Sequence, residues 1–241
     1  MSDALLKLRG VHTHIGPYHI LQGVDLDVPK GGVTVLLGRN GAGKTTSLRT
    51  IMGLWQASQG TVVFDGSEIQ AEATPVIAQR EIAFVPEDMG IFTDLTVQEN
   101  MLLAARSGPM DAARLEWVFG LFPPLKTFWN NAAGNLSGGQ KQMLAVARAI
   151  IEPRKLILID EPTKGLAPAI INAMAAALRE LKETDTTILL VEQNFSMASA
   201  VGDTVAVMDD GRIIYSGDMA TLVSDSALQE RLMGLSLEAH Q

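Results

Sequence analysis

Two stretches of this 241-residue chain combine residue types that handle phosphate. The first is Gly38-Arg39-Asn40-Gly41-Ala42-Gly43-Lys44-Thr45, followed by Thr46; it comes after an apolar run at 33–37 and opens a segment with helical spacing. Its glycines let backbone N–H groups converge on phosphate oxygens, the helix start adds positive potential, and Lys44 is long enough to reach β- and γ-phosphates. Thr45 offers a hydroxyl to Mg²⁺. This is the P-loop pattern in the strand-to-helix setting its mechanism requires, which argues against a glycine-rich turn that binds nothing.

The second stretch is the apolar run 156–159 delivering Asp160 and Glu161. Asp160 suits a Mg²⁺ contact, usually through water, and Glu161 is placed to orient or deprotonate an attacking water. An acidic strand end that merely meets solvent is the alternative. Between the two lies Leu136-Ser137-Gly138-Gly139-Gln140, ahead of a helical run at 141–151. Ser137 and Gln140 make a capping box, worth about 1 kcal/mol to the helix. Gly138 and Gly139 also expose N–H groups at a helix start, which makes the same turn an anion receptor. Both readings hold together.

The elements that must position these groups follow from periodicity. Strands are expected at 5–8, 24–28, 33–37, 61–64 and 82–85, with a helix at 44–52 closed by Gly53. Thr96-Val97-Gln98-Glu99 is a second capping box opening a helix to about 105, and 111–122 has helical spacing, so the middle of the chain reads as a helical insertion. Beyond it, segments at 156–159, 168–181, 187–191, 196–201 and 205–208 alternate strand and helix. That pattern predicts an α/β fold with a parallel sheet and right-handed crossovers. Asp210-Gly211 predicts a hairpin into 213–215, and a short helical tail follows.

Composition narrows the function. With 19 Lys and Arg against 27 Asp and Glu, the formal charge of −8 argues against general adhesion to nucleic acid or anionic lipid. The absence of cysteine excludes disulfides, thiolate metal sites and a cysteine nucleophile. The opening residues do not form a secretory apolar segment, and no stretch approaches the roughly 20 apolar residues of a spanning helix, so a soluble or membrane-peripheral protein is expected. His12, His14 and His19 read as surface histidines. The apolar stretch 122–129 reads either as core or as a surface for a partner.

The order of P-loop, helical insertion, LSGGQ and strand-Asp-Glu resembles the ATP-binding subunits of ABC transporters across nearly the whole chain. The resemblance implies one P-loop ATP-binding cassette over residues 1–241, with a RecA-like core, an antiparallel β subdomain and a helical subdomain at about 88–150. It implies ATP and Mg²⁺ as cofactors and hydrolysis of ATP to ADP and phosphate. It also implies a head-to-tail dimer in which Ser137, Gly138, Gly139 and Gln140 contact ATP held by the partner's P-loop. Lys44, Glu161 and Gln193 would be the catalytic residues, and Thr45 and Asp160 the metal-binding ones.

The chain departs from the general pattern at three places. Val85-Pro86-Glu87 puts a carboxylate where such cassettes usually carry glutamine, Gln193 stands where they carry histidine, and Ala167 stands where they carry aspartate. Glu87 could ligate Mg²⁺ or water, but a negative group beside triphosphate must be paired with a metal or protonated. Gln193 can hydrogen-bond the γ-phosphate or the water but cannot carry a proton. VPE, GLAP and VEQN together resemble the second ATP-binding subunit of importers for branched-chain amino acids, urea or short amides. That narrower likeness implies a second and different cassette, two transmembrane permease subunits, an external solute-binding protein, and a peripheral place on the cytoplasmic face of the inner membrane. The aromatic that stacks on adenine in such cassettes is replaced here by Ile15; Tyr18 is the substitute, or else an ordinary strand residue. A soluble ABC ATPase of DNA repair or translation is the alternative, and a P-loop kinase would leave LSGGQ unexplained.

Overall fold

The computed structural model describes residues 4–105 and 108–233. β1 (Ala4–Ile15) and β2 (Tyr18–Pro29) form an antiparallel hairpin longer than the apolar runs at 5–8 and 24–28. The register shifts after Leu8, where Gly10 interrupts the alternation, so the pattern in sequence stops while the pairing continues. β3 (Val33–Gly38) leads through the glycine loop into α1 (Lys44–Ile51), and β4 (Ala57–Phe64), β5 (Ser67–Glu68), α2 (Thr74–Gln79) and β6 (Ile82–Val85) follow. β5 and α2 are too short to leave a periodic signal. Next come α3 (Val97–Ala104), α4 (Ala112–Leu121), α5 (Pro123–Thr127) and α6 (Gly138–Ile150). Alternation then returns with β7 (Leu156–Asp160), α7 (Pro168–Lys182), β8 (Thr187–Glu192), α8 (Phe195–Val201), β9 (Thr204–Asp209), β10 (Arg212–Asp218), α9 (Met219–Ser224) and α10 (Ser226–Met233). The rest of the expected tail lies outside the described residues.

β2-β1-β4-β5 form one antiparallel sheet, and β10-β9-β3-β8-β7-β6 form a second, parallel except for the β9–β10 hairpin. The second sheet is buried on both faces, which is why its strands read as unbroken apolar runs. One face carries Leu36, Leu158, Leu189, Val191 and Met208 and packs with α1 and the antiparallel sheet. The other carries Val35, Leu37, Ile157, Ile159, Leu190 and Val207 and packs under the helices from α3 onward. Burying each such side chain stabilises the fold by about 1.5–3 kcal/mol. Phe122 and Leu125 are fully buried in this second layer and Phe128 and Trp129 pack against it, so the 122–129 stretch is core.

The strand order decides where the chemistry lies. β3, β8, β7 and β6 are parallel neighbours, with Leu37 opposite Glu192, Val191 opposite Asp160 and Ile159 opposite Val85. Their carboxyl ends therefore bring the glycine loop, Gln193, Asp160-Glu161 and Glu87 to one edge, although these are far apart in sequence. The edge beyond the carboxyl ends is where open parallel sheets hold ligands.

Candidate functional site

The loop between β3 and α1 is closely packed at both ends, against backbone at Gly38 and against side chains at Gly43. A Cβ on Gly38 would lie 2.3 Å from the Met208 carbonyl oxygen, and one on Gly43, at φ +107°, 3.0 Å from Leu21 Cδ2. Only glycine fits at these two places. Lys44 is 4% exposed, and its Nζ donates to the carbonyls of Gly38 at 2.9 Å and Arg39 at 3.0 Å while lying 3.4 Å from Glu161 Oε1. The ammonium is thus held at the centre of the loop by groups from two strand ends. A cavity of about 280 Å³ opens over it, lined by Asn40, Gly41, Gly43, Lys44, Thr45 and Thr46 on the loop side and by Ile20, Glu87, Glu161 and Lys164 opposite. Ala42 is buried beneath the loop, while Arg39 is exposed.

Asp160 ends β7 at 1% exposure. Its Oδ1 accepts from Thr45 Oγ1 at 3.1 Å, and its Oδ2 has no hydrogen-bond partner. Burial pushes its pKa up to about 6; the Thr45 bond opposes this, and the charges of Glu161 and Glu87 add to it. A buried carboxylate oxygen left unpaired beside a hydroxyl is the donor set a hard divalent cation takes. No cluster of three or more His, Asp or Glu shaped for a metal occurs among the described residues. A cation at Thr45 and Asp160 would therefore draw its other ligands from phosphate oxygens and water.

Glu161 is 8% exposed and has φ +47°, a conformation that costs a non-glycine residue about 1 kcal/mol. Its N–H donates to the Val191 carbonyl at 2.9 Å, which holds the turn. Gln193 Nε2 donates both to Glu161 Oε1 and, at 2.6 Å, to Asn40 Oδ1. One amide group thus ties the end of β8 to the glycine loop and to the end of β7. Glu87 is not left bare: Lys164 Nζ donates to its Oε1 at 2.5 Å and lies 3.6 Å from Glu161 Oε2. Pairing with Lys164 is a third way to tolerate this carboxylate, besides the metal or proton that its chemistry alone suggested.

Two residues of this network escaped the reading of the sequence. Lys164 follows Asp-Glu-Pro-Thr with nothing to mark its partner on another loop. Glu192, 2% exposed at the end of β8, accepts from Thr163 Oγ1 at 2.6 Å and from the N–H groups of Gln193 and Asn194 at 3.1 and 3.2 Å. Burial raises its pKa while those three donors hold it down. A charged residue closing an apolar strand was the available signal, and it had already proved informative at Asp160.

The Ser137 turn behaves differently. Ser137 Oγ accepts from Gln140 N at 3.3 Å and Gln140 Oε1 from Ser137 N at 2.8 Å, the reciprocal capping box expected from the sequence. Gly138 is exposed, whereas Gly139 is buried under Ile170, whose side-chain carbons would lie 3.0 Å from an added Cβ. The second glycine lets α6 approach α7. None of these four residues lines the cavity over Lys44. Tyr18 is 70% exposed, and Ile20 rather than Tyr18 is on the cavity wall. His14 and His19 are exposed and stack with ring centroids 4.2 Å apart.

The sequence pattern described as ABC transporter matches residues 21–164, which takes in the glycine loop, the Ser137 turn and the Asp160-Glu161 pair. The chain belongs to the ABC transporter family. This cassette is 36% identical to the high-affinity branched-chain amino acid transport ATP-binding protein BraG of Pseudomonas aeruginosa, over 95% of the chain and all of that protein. It is 34% identical to the probable branched-chain amino acid transport ATP-binding protein LivF of Archaeoglobus fulgidus, over 90% of the chain and 93% of its relative. Among solved structures, a nucleotide-free ATP-binding cassette from an ABC transporter superposes with a TM-score of 0.80 at 26% identity, covering 97% of this chain and all of that one. A cassette in its ADP conformation does so with 0.79 at 27% identity and the same coverage. The cassette is an ATPase, and the antiparallel sheet, mixed sheet and helices are those of its family.

Proposed function

We propose that this cassette energises the import of branched-chain amino acids or related amino acids and amides, as one of two different ATP-binding subunits attached to two permeases. The observation that supports this best is the likeness along the whole chain to BraG, joined to the unusual Glu87 and Gln193 that the site holds in one network. The relatives named above carry transport names, which favours import over the alternative of a soluble ABC ATPase in DNA repair or translation.

In this reading the loop N–H groups and Lys44 hold the β- and γ-phosphates of ATP, with Thr46 beside them and Ile20, in place of Tyr18, on the adenine side. Thr45 and Asp160 would hold Mg²⁺, which when bound supplies charge neutralisation for the phosphates. Glu161 orients the attacking water and accepts its proton, and Gln193 fixes the Glu161 carboxylate against Asn40 so that it needs no reorientation at the moment of reaction. The Ser137 turn of one cassette meets the phosphate held by the other, and cassettes separate on product release.

A groove of about 450 Å³ lined by Phe84, Pro86, Met89, Leu103, Ala145 and Arg148 begins beside Glu87, and Phe92, Leu102 and Leu103 are exposed at its side. An apolar groove next to Glu87 is a suitable seat for a permease segment. No helix among the described residues is long and apolar enough to cross a membrane, so attachment through such a seat would place the cassette peripherally on the cytoplasmic face. The solute-binding protein would act through the permeases, and no nucleic acid is involved. The test is affinity capture of the tagged chain from its native membranes with mass identification of its companions. Two permeases and a second cassette are expected; ribosomal or DNA-repair partners in their place would overturn the import reading.

A further inference from the structure

Lys164 and Glu87 follow different strands, β7 and β6, yet their side chains meet over the glycine loop, and Lys164 also approaches Glu161 from the side away from Lys44. All three line the cavity that opens over Lys44. A triphosphate entering this cavity meets two carboxylates on the wall opposite the loop. Glu161 already has Lys44 and Gln193 as partners. Glu87 has Lys164, which its carboxylate in turn keeps firmly protonated. Without Lys164, Glu87 would present an uncompensated charge to the phosphates.

We propose that Lys164 is a positioning residue that offsets Glu87 and steadies the second oxygen of Glu161, so that a carboxylate at position 87 is tolerated beside bound nucleotide. The inference rests on nucleotide occupying the cavity over Lys44. Its scale is set by exposure: the two side chains are 54% and 42% exposed, so solvent screens the pair and effects of several-fold, not hundreds-fold, are expected.

The experiment is a double-mutant cycle on the purified full chain, reading ATP affinity with and without Mg²⁺ by titration calorimetry. Lys164→Ala should weaken binding about 5-fold, Lys164→Arg by less than about 2-fold, and Lys164→Ala in a Glu87→Gln background by less than about 2-fold. Equal losses from Lys164→Ala in both backgrounds would make Lys164 a direct phosphate contact and overturn the proposal, as would no loss in either. Lys44→Ala is measured in the same series: if it binds ATP like the unaltered chain, the placement of nucleotide fails. If it loses binding while the Lys164 series stays flat, only the present inference fails. Lys164 is exposed, so the alanine variant should fold, and the melting temperature of each nucleotide-free variant checks this.

Discussion

The loop ahead of α1 and the turn ahead of α6 both offer backbone N–H groups at a helix start, but their surroundings differ in kind. Around α1, Lys44, Asp160, Glu161 and Glu192 are all buried, and each is tied to a residue that follows a different strand. Around α6, Ser137 and Gln140 satisfy one another, and Gly139 against Ile170 anchors the turn to the fold. The first region is a cradle whose buried charged groups all come from one chain. The second is a capped helix end at which Ser137 and Gly138 are exposed. Fixed dipoles and buried charges stabilise a reacting phosphate because they need no rearrangement, whereas an exposed turn contributes only when something closes over it.

Several measurements would break or sharpen that contrast. Glu161→Gln should reduce ATP turnover by about 100-fold or more while leaving ATP affinity within about 3-fold, because the proposed general base is lost and the loop is kept. A comparable loss of binding would mean that Glu161 is needed to build the cradle. Ser137→Ala should cost about 1 kcal/mol of stability through the lost cap. It should also slow turnover of the assembled transporter about 10-fold, the worth of one hydrogen bond to a charged group, with ATP affinity of the isolated chain unchanged. If the isolated chain bound ATP more weakly, the two regions would not be separable and the contrast would fail.

A smaller effect concerns Glu192. Its pKa is raised above the ordinary glutamate value of 4.5, so the folded chain takes up the proton more readily than the unfolded one. The stability this contributes is complete below that value and is lost as pH rises through the folded pKa. Glu192→Gln should therefore flatten the fall in stability of the nucleotide-free chain as pH rises above 4.5, as followed by denaturant titration at each pH. An unchanged slope would show that this carboxyl does not titrate there. Least of all, Tyr18→Ala should shift ATP affinity by about 2-fold or less, since the exposed ring is off the cavity wall; a 10-fold loss would show that it stacks on the base.

Much of the fold was legible because local pattern and burial agree along β3, β7, β8 and β9, whose apolar runs alternate between two covered faces. The ends of α1, α3 and α6 were equally legible, since Gly53 and the two capping boxes act within a few residues of sequence. β1 and β2 were underestimated because register shifts break the alternation without breaking the pairing. Lys164 was invisible for another reason: the identity of its partner depends on which strands are neighbours, and nothing in Asp-Glu-Pro-Thr-Lys points to Glu87.

The sequence by itself determined the glycine loop, the acidic strand end and the capped turn, because each is a contiguous run whose chemistry follows from its own residues. Only the tertiary structure decided that β8 lies between β3 and β7, and with it that Gln193 bridges Asn40 and Glu161 while Lys164 covers Glu87. The physical reason is that hydrogen bonds and ion pairs act over a few ångströms, whereas the groups they join here lie 153 and 77 residues apart for Gln193–Asn40 and Lys164–Glu87. Strand pairing, and not local preference, closes that gap.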